Sequence, residues 1–390
     1  MVVLHLLQLQ FQWALFWHLL DDRQAIVMNN KFFNVGLACG GTGGHISPAL
    51  ALIKDFKNFN LNPYFFTDIR GTHILKSYSY SVILSGSPST KGIKRITNLL
   101  KMIIGIFQSI YFLYKNNIHL VIGFGGYSSV PIIVAAKLLR IPSIIHEQNK
   151  IIGKANKFCS SFCNKIALSF DLKTKSSKSN KYVITGNPVL KAFEKVGDKK
   201  FEPFSKQRIT ILVIGGSQGT KIFSEIIPKV IQKLPKKIRD KIFIYQQCRD
   251  EDKDKVKSFY EQKNIKFDVR TFFSEIYNIF EKADLIISRS GGSTISEISA
   301  AGRPSILIPF PFSAEDHQKE NALEFQRNNA CVLLEQKELN EKVLLDKLVL
   351  FLSNKNLLSD IAKNARSIYK KNSSEKITNL VISTFNGELK

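Results

Sequence analysis

The sequence predicts an α/β protein built as two Rossmann-like lobes facing a cleft, and three observations carry that expectation. From Asn34 onward, short β-branched or apolar runs alternate with stretches of helical period, as in a parallel sheet flanked by helices. The runs form two series, separated by Gly186-Asn187-Pro188 and a stretch to Arg208 that reads as a domain junction. Each series opens alike, on a strand that runs directly into glycines. In order, strands are expected at 35–39, 63–67, 82–84, 119–123, 142–146, 165–168 and 181–185. A second set follows at 209–214, 242–246, 267–271, 284–288 and 305–309. The lobes are expected to span residues 34–189 and 190–372.

At 390 residues the chain suits about two or three domains. Apolar residues at 44%, charged residues at 23% and a mean hydropathy of -0.05 exclude a disordered tail, a collagen-like repeat and a many-spanning membrane protein. Lysine plus arginine (56) exceed aspartate plus glutamate (32), leaving +24. That field favours anionic partners without choosing among nucleic acid, nucleotides and acidic lipid head groups. Cys39, Cys159, Cys163, Cys248 and Cys331 are scattered, which fits free thiols in a reducing compartment. Cys159 and Cys163 share a helix face, but no nearby His or Cys pair completes a ligand set, so no metal site is expected. Residues 2–20 are the longest apolar stretch, interrupted by His5, Gln8, Gln10, Gln12 and His18. With no basic leader or small-residue cleavage site, residues 1–33 read as an N-terminal extension, or alternatively an interfacial anchor.

The first glycine loop, Gly40-Gly41-Thr42-Gly43-Gly44, ends in His45, and Pro48 suits the first turn of a following helix. Backbone N–H groups and a helix N-terminus there suit an anion, the alternative being an ordinary tight turn. The Walker spacing and its lysine are missing, which disfavours a P-loop ATPase. Gly123-Phe124-Gly125-Gly126-Tyr127-Ser128 and His146-Glu147-Gln148-Asn149 follow later strands and should converge with His45 at one sheet edge. In the second series, a strand ends at Ser288-Arg289-Ser290-Gly291-Gly292, and Glu297 falls about one turn into the next helix. A carboxylate there can accept a ribose diol, or merely complement the helix dipole. Gln318, after Asp316-His317, can read a sugar hydroxyl.

Together these segments, with Gly186–Val189 and Gly215-Gly216-Ser217-Gln218-Gly219, resemble the MurG family of bacterial glycosyltransferases from Asn34 to the C-terminus. The resemblance implies a GT-B fold whose last helix, around 373–390, returns to the first lobe. By matching positions, it implies that UDP-N-acetylglucosamine meets Ser217, Gly292, Ser293, Thr294, Glu297 and Gln318. The resemblance further implies that Thr42, Gly43, Gly44 and Asn149 face the cleft from the acceptor lobe and that Tyr127 and Glu147 line the acceptor side. His45 matches the proposed base, with Glu147 in reserve. The implied partners are the sugar nucleotide, lipid I, an anionic membrane surface and other cell-wall synthesis proteins, with no nucleic acid and no cofactor. The implied location is peripheral, on the cytoplasmic face of the bacterial inner membrane. One departure stands out: the family usually has Arg after Gly-Asn-Pro-Val, and this chain has Leu190 followed by Lys191.

The expected chemistry is an inverting displacement at the donor's anomeric carbon. No Asp-x-Asp box adjoins the glycine loops, so helix N-termini and backbone N–H groups are expected to carry the leaving diphosphate. Within residues 91–115, Lys91, Lys94, Arg95 and Lys101 interleave with Ile93, Ile96, Leu99, Leu100, Ile103, Ile104 and Phe107. That pattern suits an interfacial helix, or equally a core helix with a basic edge. The rival classes are a nucleic-acid-binding module, a dinucleotide oxidoreductase and another GT-B enzyme acting on a lipid acceptor. The first lacks a recognisable motif, and the second lacks Gly-x-Gly-x-x-Gly in register.

Overall fold

The computed structural model describes residues 33–41, 43–88, 90–172, 179–205, 208–216 and 219–388, so the N-terminal extension lies almost wholly outside the described residues. The first lobe comprises β1 (Phe33–Ala38), α1 (Gly43–Asn58), β2 (Leu61–Thr67), β3 (Tyr80–Val82), α2 (Ile93–Lys115), β4 (Leu120–Gly123), α3 (Val130–Leu138), β5 (Ser143–Glu147), α4 (Lys154–Cys159), β6 (Lys165–Leu168) and β7 (Tyr182–Ile184). The second opens with α5 (Lys191–Asp198), β8 (Ile209–Ile214), α6 (Lys221–Lys233), α7 (Lys236–Arg239), β9 (Ile242–Gln247), α8 (Asp250–Gln262) and β10 (Lys266–Arg270). It continues through α9 (Ile276–Lys282), β11 (Leu285–Ser288), α10 (Gly292–Ala301), β12 (Ser305–Leu307), α11 (His317–Arg327), β13 (Val332–Leu333), α12 (Glu341–Ser353) and α13 (Lys355–Ser367), and the chain ends in α14 (Ser373–Glu388).

Every strand pairing is parallel, in the orders β3-β2-β1-β4-β5-β6-β7 and β10-β9-β8-β11-β12-β13. The winding reverses between β1 and β4 in one sheet and between β8 and β11 in the other, and loops at such switch points form the ligand crevice. The central strands β4, β8 and β11 are fully buried, mostly apolar runs because both faces are covered. In β8, Ile209, Ile211 and Val213 enter one core while Leu212 and Ile214 enter the other. Each of the twelve expected strands overlaps an observed one, the third (82–84) only at Val82 of β3, and among the described residues only the two-residue β13 was not foreseen. All five cysteines are buried free thiols.

The chain passes between lobes at residues 185–190 and again at 368–373, and the two passages touch. Gly186, at φ 83, lacks a Cβ where Ser373 and the stem of Lys370 pack. Beyond the second passage, α14 sets Ile377, Leu380 and Val381 against Leu52 and Phe56 of α1. Each such burial is worth about 1.5–3 kcal/mol, so the C-terminal helix is fastened to the first lobe.

Candidate functional site

The first glycine loop leaves β1 and turns back into α1. Gly41 takes φ 75, and Gly40 leaves no room for a Cβ because the Ser128 hydroxyl stands there, so this loop and the one after β4 interlock. The His45 ring lies on that second loop: a Cβ on Gly126 would be 3.4 Å from its Cε1, and one on Gly125 3.5 Å from its Cδ2. His45 Nδ1 is 3.1 Å from the Gly40 carbonyl oxygen. A carbonyl only accepts, so Nδ1 carries the proton and the neutral ring keeps its lone pair on Nε2. Desolvation pushes the imidazole down to about 4 against the opposing pull of that carbonyl, so it is unprotonated at neutral pH. Gly43 and Gly44 open α1 beside it, half-buried, while Thr42 lies outside the described residues. Tyr127 is half-buried beside Gly126 and packs on the apolar cluster behind the sheet.

The loop after β5 is organised by one carboxylate. Glu147 Oε1 accepts from the backbone N–H (3.0 Å) and side-chain amide (3.1 Å) of Asn149. Its Oε2 accepts from Gly153 N–H (3.0 Å) and the Asn156 amide (2.9 Å). Burial raises its pKa while these four donors oppose the rise. Glu147, the expected reserve base, is thus engaged at both oxygens by its own loop and fixes the position of Asn149. His146, one residue earlier, is fully buried, with Nε2 3.3 Å from the Gly186 carbonyl.

From the second lobe, Gly292, Ser293 and Thr294 form the first turn of α10. This turn rests on the first lobe. The Ser293 hydroxyl donates to the Gly44 carbonyl (2.7 Å), and a Cβ on Gly292 would stand 2.6 Å from the Gln148 carbonyl oxygen. Alongside, Asn321 of α11 accepts from Lys150 N–H (2.8 Å) and donates to Asn149 Oδ1 (3.0 Å), and Lys150 pairs with Glu324 (3.0 Å). Gln318 Oε1 accepts from Phe310 N–H (3.0 Å), which ties it to the loop after β12. Ser217 lies outside the described residues.

Glu297 stands on α10 with no hydrogen-bonding partner among the described residues, and desolvation raises it to about 8. It lines a cavity of about 50 Å³ with Ser47, Leu50, Pro188, Leu190 and Ser293. That volume is far below what a nucleoside needs, so entry of one requires the lobes to part. Lys191 does not stand in for the guanidinium that Leu190 lacks, because its ammonium reaches across the lobes to Asp55 (2.7 Å). A larger cavity, about 180 Å³, lies among Lys200, Arg208, Asp284 and Arg303 at the amino ends of the strands, away from these loops.

The structure thus brings together His45, Gly43, Gly44, Asn149, Gly292 and Ser293. Sequence reasoning missed Asn321 and Asn156 as the residues that hold Asn149 and Glu147 in place. Arg289 was read only as part of the glycine motif, whereas it donates to the Ile308 and Pro309 carbonyls (both 3.0 Å) and so shapes the loop bearing Gln318. Asparagine amides acting across 9 or 172 positions leave no local pattern to read.

The glycosyltransferase family 28 N-terminal domain matches residues 35–168, and the C-terminal domain of the same family matches residues 210–381. The UDP-N-acetylglucosamine--N-acetylmuramyl-(pentapeptide) pyrophosphoryl-undecaprenol N-acetylglucosamine transferase of Wolbachia sp. subsp. Brugia malayi is 37% identical over 350 residues, covering 90% of this chain and 98% of that one. The protein of the same name from Rickettsia canadensis is 38% identical over 335 residues, covering 84% and 93%. The crystal structure of MurG from Acinetobacter baumannii superposes with a TM-score of 0.71 at 24% identity, covering 90% of this chain and 99% of that one. On these matches, and on two parallel sheets whose switch-point loops meet at one cleft, the chain belongs to the MurG family within glycosyltransferase family 28.

Proposed function

We propose that this protein transfers N-acetylglucosamine from UDP-N-acetylglucosamine to the muramoyl 4-hydroxyl of undecaprenyl-diphosphate-linked N-acetylmuramoyl-pentapeptide (lipid I), giving lipid II. The observation that carries this reading is the seat of His45, a neutral imidazole with its proton on Nδ1, on the second glycine loop and next to Gly44, whose carbonyl accepts from Ser293 in the first turn of α10. In the reaction the acceptor O4 attacks the anomeric carbon and its proton passes to His45 Nε2. The bond from that carbon to the β-phosphate oxygen breaks with inversion, and UDP leaves with the electron pair. N–H groups of Gly292 and Ser293, at the positive end of α10, and of the loop after β8 face the charge that develops on the diphosphate. Glu297 accepts the ribose diol, and Gln318 and Asn149 contact the sugar. Radiolabelled sugar transfer from UDP-N-acetylglucosamine to a short-chain lipid I analogue tests this. Turnover is expected with or without a chelator, and no transfer in either condition would refute the assignment.

The acceptor's lipid tail requires a membrane, and α2 supplies the surface. Only Gly105, Ser109 and Leu113 of this helix are buried; its inner side packs on α3. Ile93 is 80% exposed, Ile96 63% and Phe107 67%, beside exposed Lys91, Lys94, Arg95 and Lys101. This favours an interfacial role over a core one: the helix lies flat on an anionic leaflet at the inner face of the bacterial plasma membrane. Sedimentation with vesicles is expected to rise with anionic lipid content. Lys94→Glu with Lys101→Glu should lower it by at least about thirtyfold, at about 1 kcal/mol per basic residue lost and more for reversal. Binding indifferent to lipid charge would contradict this.

A further inference from the structure

Beside the first glycine loop is a cation that the chemistry above does not use. The turn after β2 carries Asp68 and Arg70, and a single carboxylate fixes the arginine. Asp68 Oδ1 accepts from Arg70 N–H (2.9 Å) and Nε (3.2 Å), and Oδ2 accepts from a terminal guanidinium nitrogen (2.8 Å). The guanidinium then lies against Gly41, where a Cβ would collide with it. Asp68 is itself buried and packed close to Gly40.

Of the five N–H donors a guanidinium carries, Asp68 takes two, and the other three have no acceptor among the described residues. The Arg70 side chain is nevertheless 64% exposed, so those donors face solvent beside the glycine loop. A surface ion pair formed only for stability would contribute little, whereas a planar fork held rigid with donors to spare is the geometry that recognises phosphate oxygens.

We propose that Arg70, positioned by Asp68 and seated on Gly41, grips the diphosphate of the acceptor. This rests on the sugar-transfer reading above and extends it to the acceptor subsite. In the acceptor, the diphosphate hangs from C1 of the muramoyl ring while the attacking hydroxyl is on C4. The anion must therefore lie one sugar ring away from the base. Arg70 is on the same lobe as His45, seated on Gly41 of the loop that leads into that residue. The donor's diphosphate, by contrast, is served from the opposite lobe.

The test compares the full chain with Arg70→Gln and Arg70→Lys, using UDP-N-acetylglucosamine and a water-soluble short-prenyl diphosphate-linked muramoyl pentapeptide. Arg70→Gln is expected to raise the acceptor KM on the order of ten- to hundredfold, the range for hydrogen bonds to a charged group. The donor KM and thermal midpoint should be unchanged, and Arg70→Lys should fall between. An analogue with a neutral linker in place of the diphosphate should be used equally poorly by both proteins. An unchanged acceptor KM, an equal rise in donor KM, or the same loss with the neutral-linker analogue would each overturn the assignment. If the unmodified protein transfers no sugar, the functional reading fails separately. Calorimetric binding of the same prenyl diphosphate to the chain and to Arg70→Gln still decides the role of Arg70.

Discussion

His45→Ala lowers turnover by about 10²- to 10⁴-fold and leaves donor affinity within about twofold. The size follows from the role: the acceptor hydroxyl must shed its proton as the new bond forms. The separation from binding follows from the geometry, because His45 is held by its own loop, through Gly40, and by the backbone of Gly125 and Gly126. With the imidazole pushed down to about 4, no loss of activity near pH 6.5 is expected from this residue. The measurement is steady-state turnover beside calorimetric donor titration. A turnover loss under about tenfold would remove the base assignment, since general base catalysis rarely contributes less than about a hundredfold. His45→Gln, which retains an amide N–H for the Gly40 carbonyl, separates loss of the base from loss of the turn; it should be as inactive as the alanine variant.

Glu297→Gln weakens donor binding on the order of a hundredfold at pH 8 and removes its pH dependence. In the closed cleft the carboxyl is raised to about 8 by desolvation with no cation beside it, the apolar Leu190 lining the same cavity. A ribose diol donates two hydrogen bonds and so selects the ionised form. The sign follows: below about pH 8 the carboxyl is mostly protonated when the cleft is closed, and donor binding must release that proton. Affinity therefore rises with pH, by up to about tenfold per unit between pH 6 and 8, and levels off above. Titrations at pH 6, 7, 8 and 9 check this. A donor affinity that is flat over the range in the unmodified chain would contradict it. Leu190→Arg should flatten it by holding the carboxylate ionised.

Most of the scaffold was legible in the sequence because it obeys local rules. Strands buried on both faces must be unbroken apolar runs, and the glycines mark the turns where another chain segment approaches too closely for a Cβ. The loop residues could be grouped on the same argument, since the carboxyl ends of parallel strands share one edge. What stayed hidden depends on hydrogen bonds between distant segments. Glu147 reads in sequence as an acid near a histidine, and only its four donors reveal a loop clamp. Residues 91–115 have one period whether they face lipid or core, and only the exposure of Ile93, Ile96 and Phe107 sets the helix apart from a core one. Asp68 and Arg70 are two residues apart, but nothing in that spacing places them on Gly40 and Gly41.

The contact between the two passages of chain at Gly186 and Ser373 dictates how this protein can move. Two covalent threads pinned side by side act as a door hinge: the lobes can swing, while sliding or twisting would shear a packed joint. A swing displaces each point in proportion to its distance from the pin. The Lys191–Asp55 bridge lies one residue from Leu190 at the hinge, and the Asn321–Lys150 hydrogen bond is a second tie between the lobes that a swing would break.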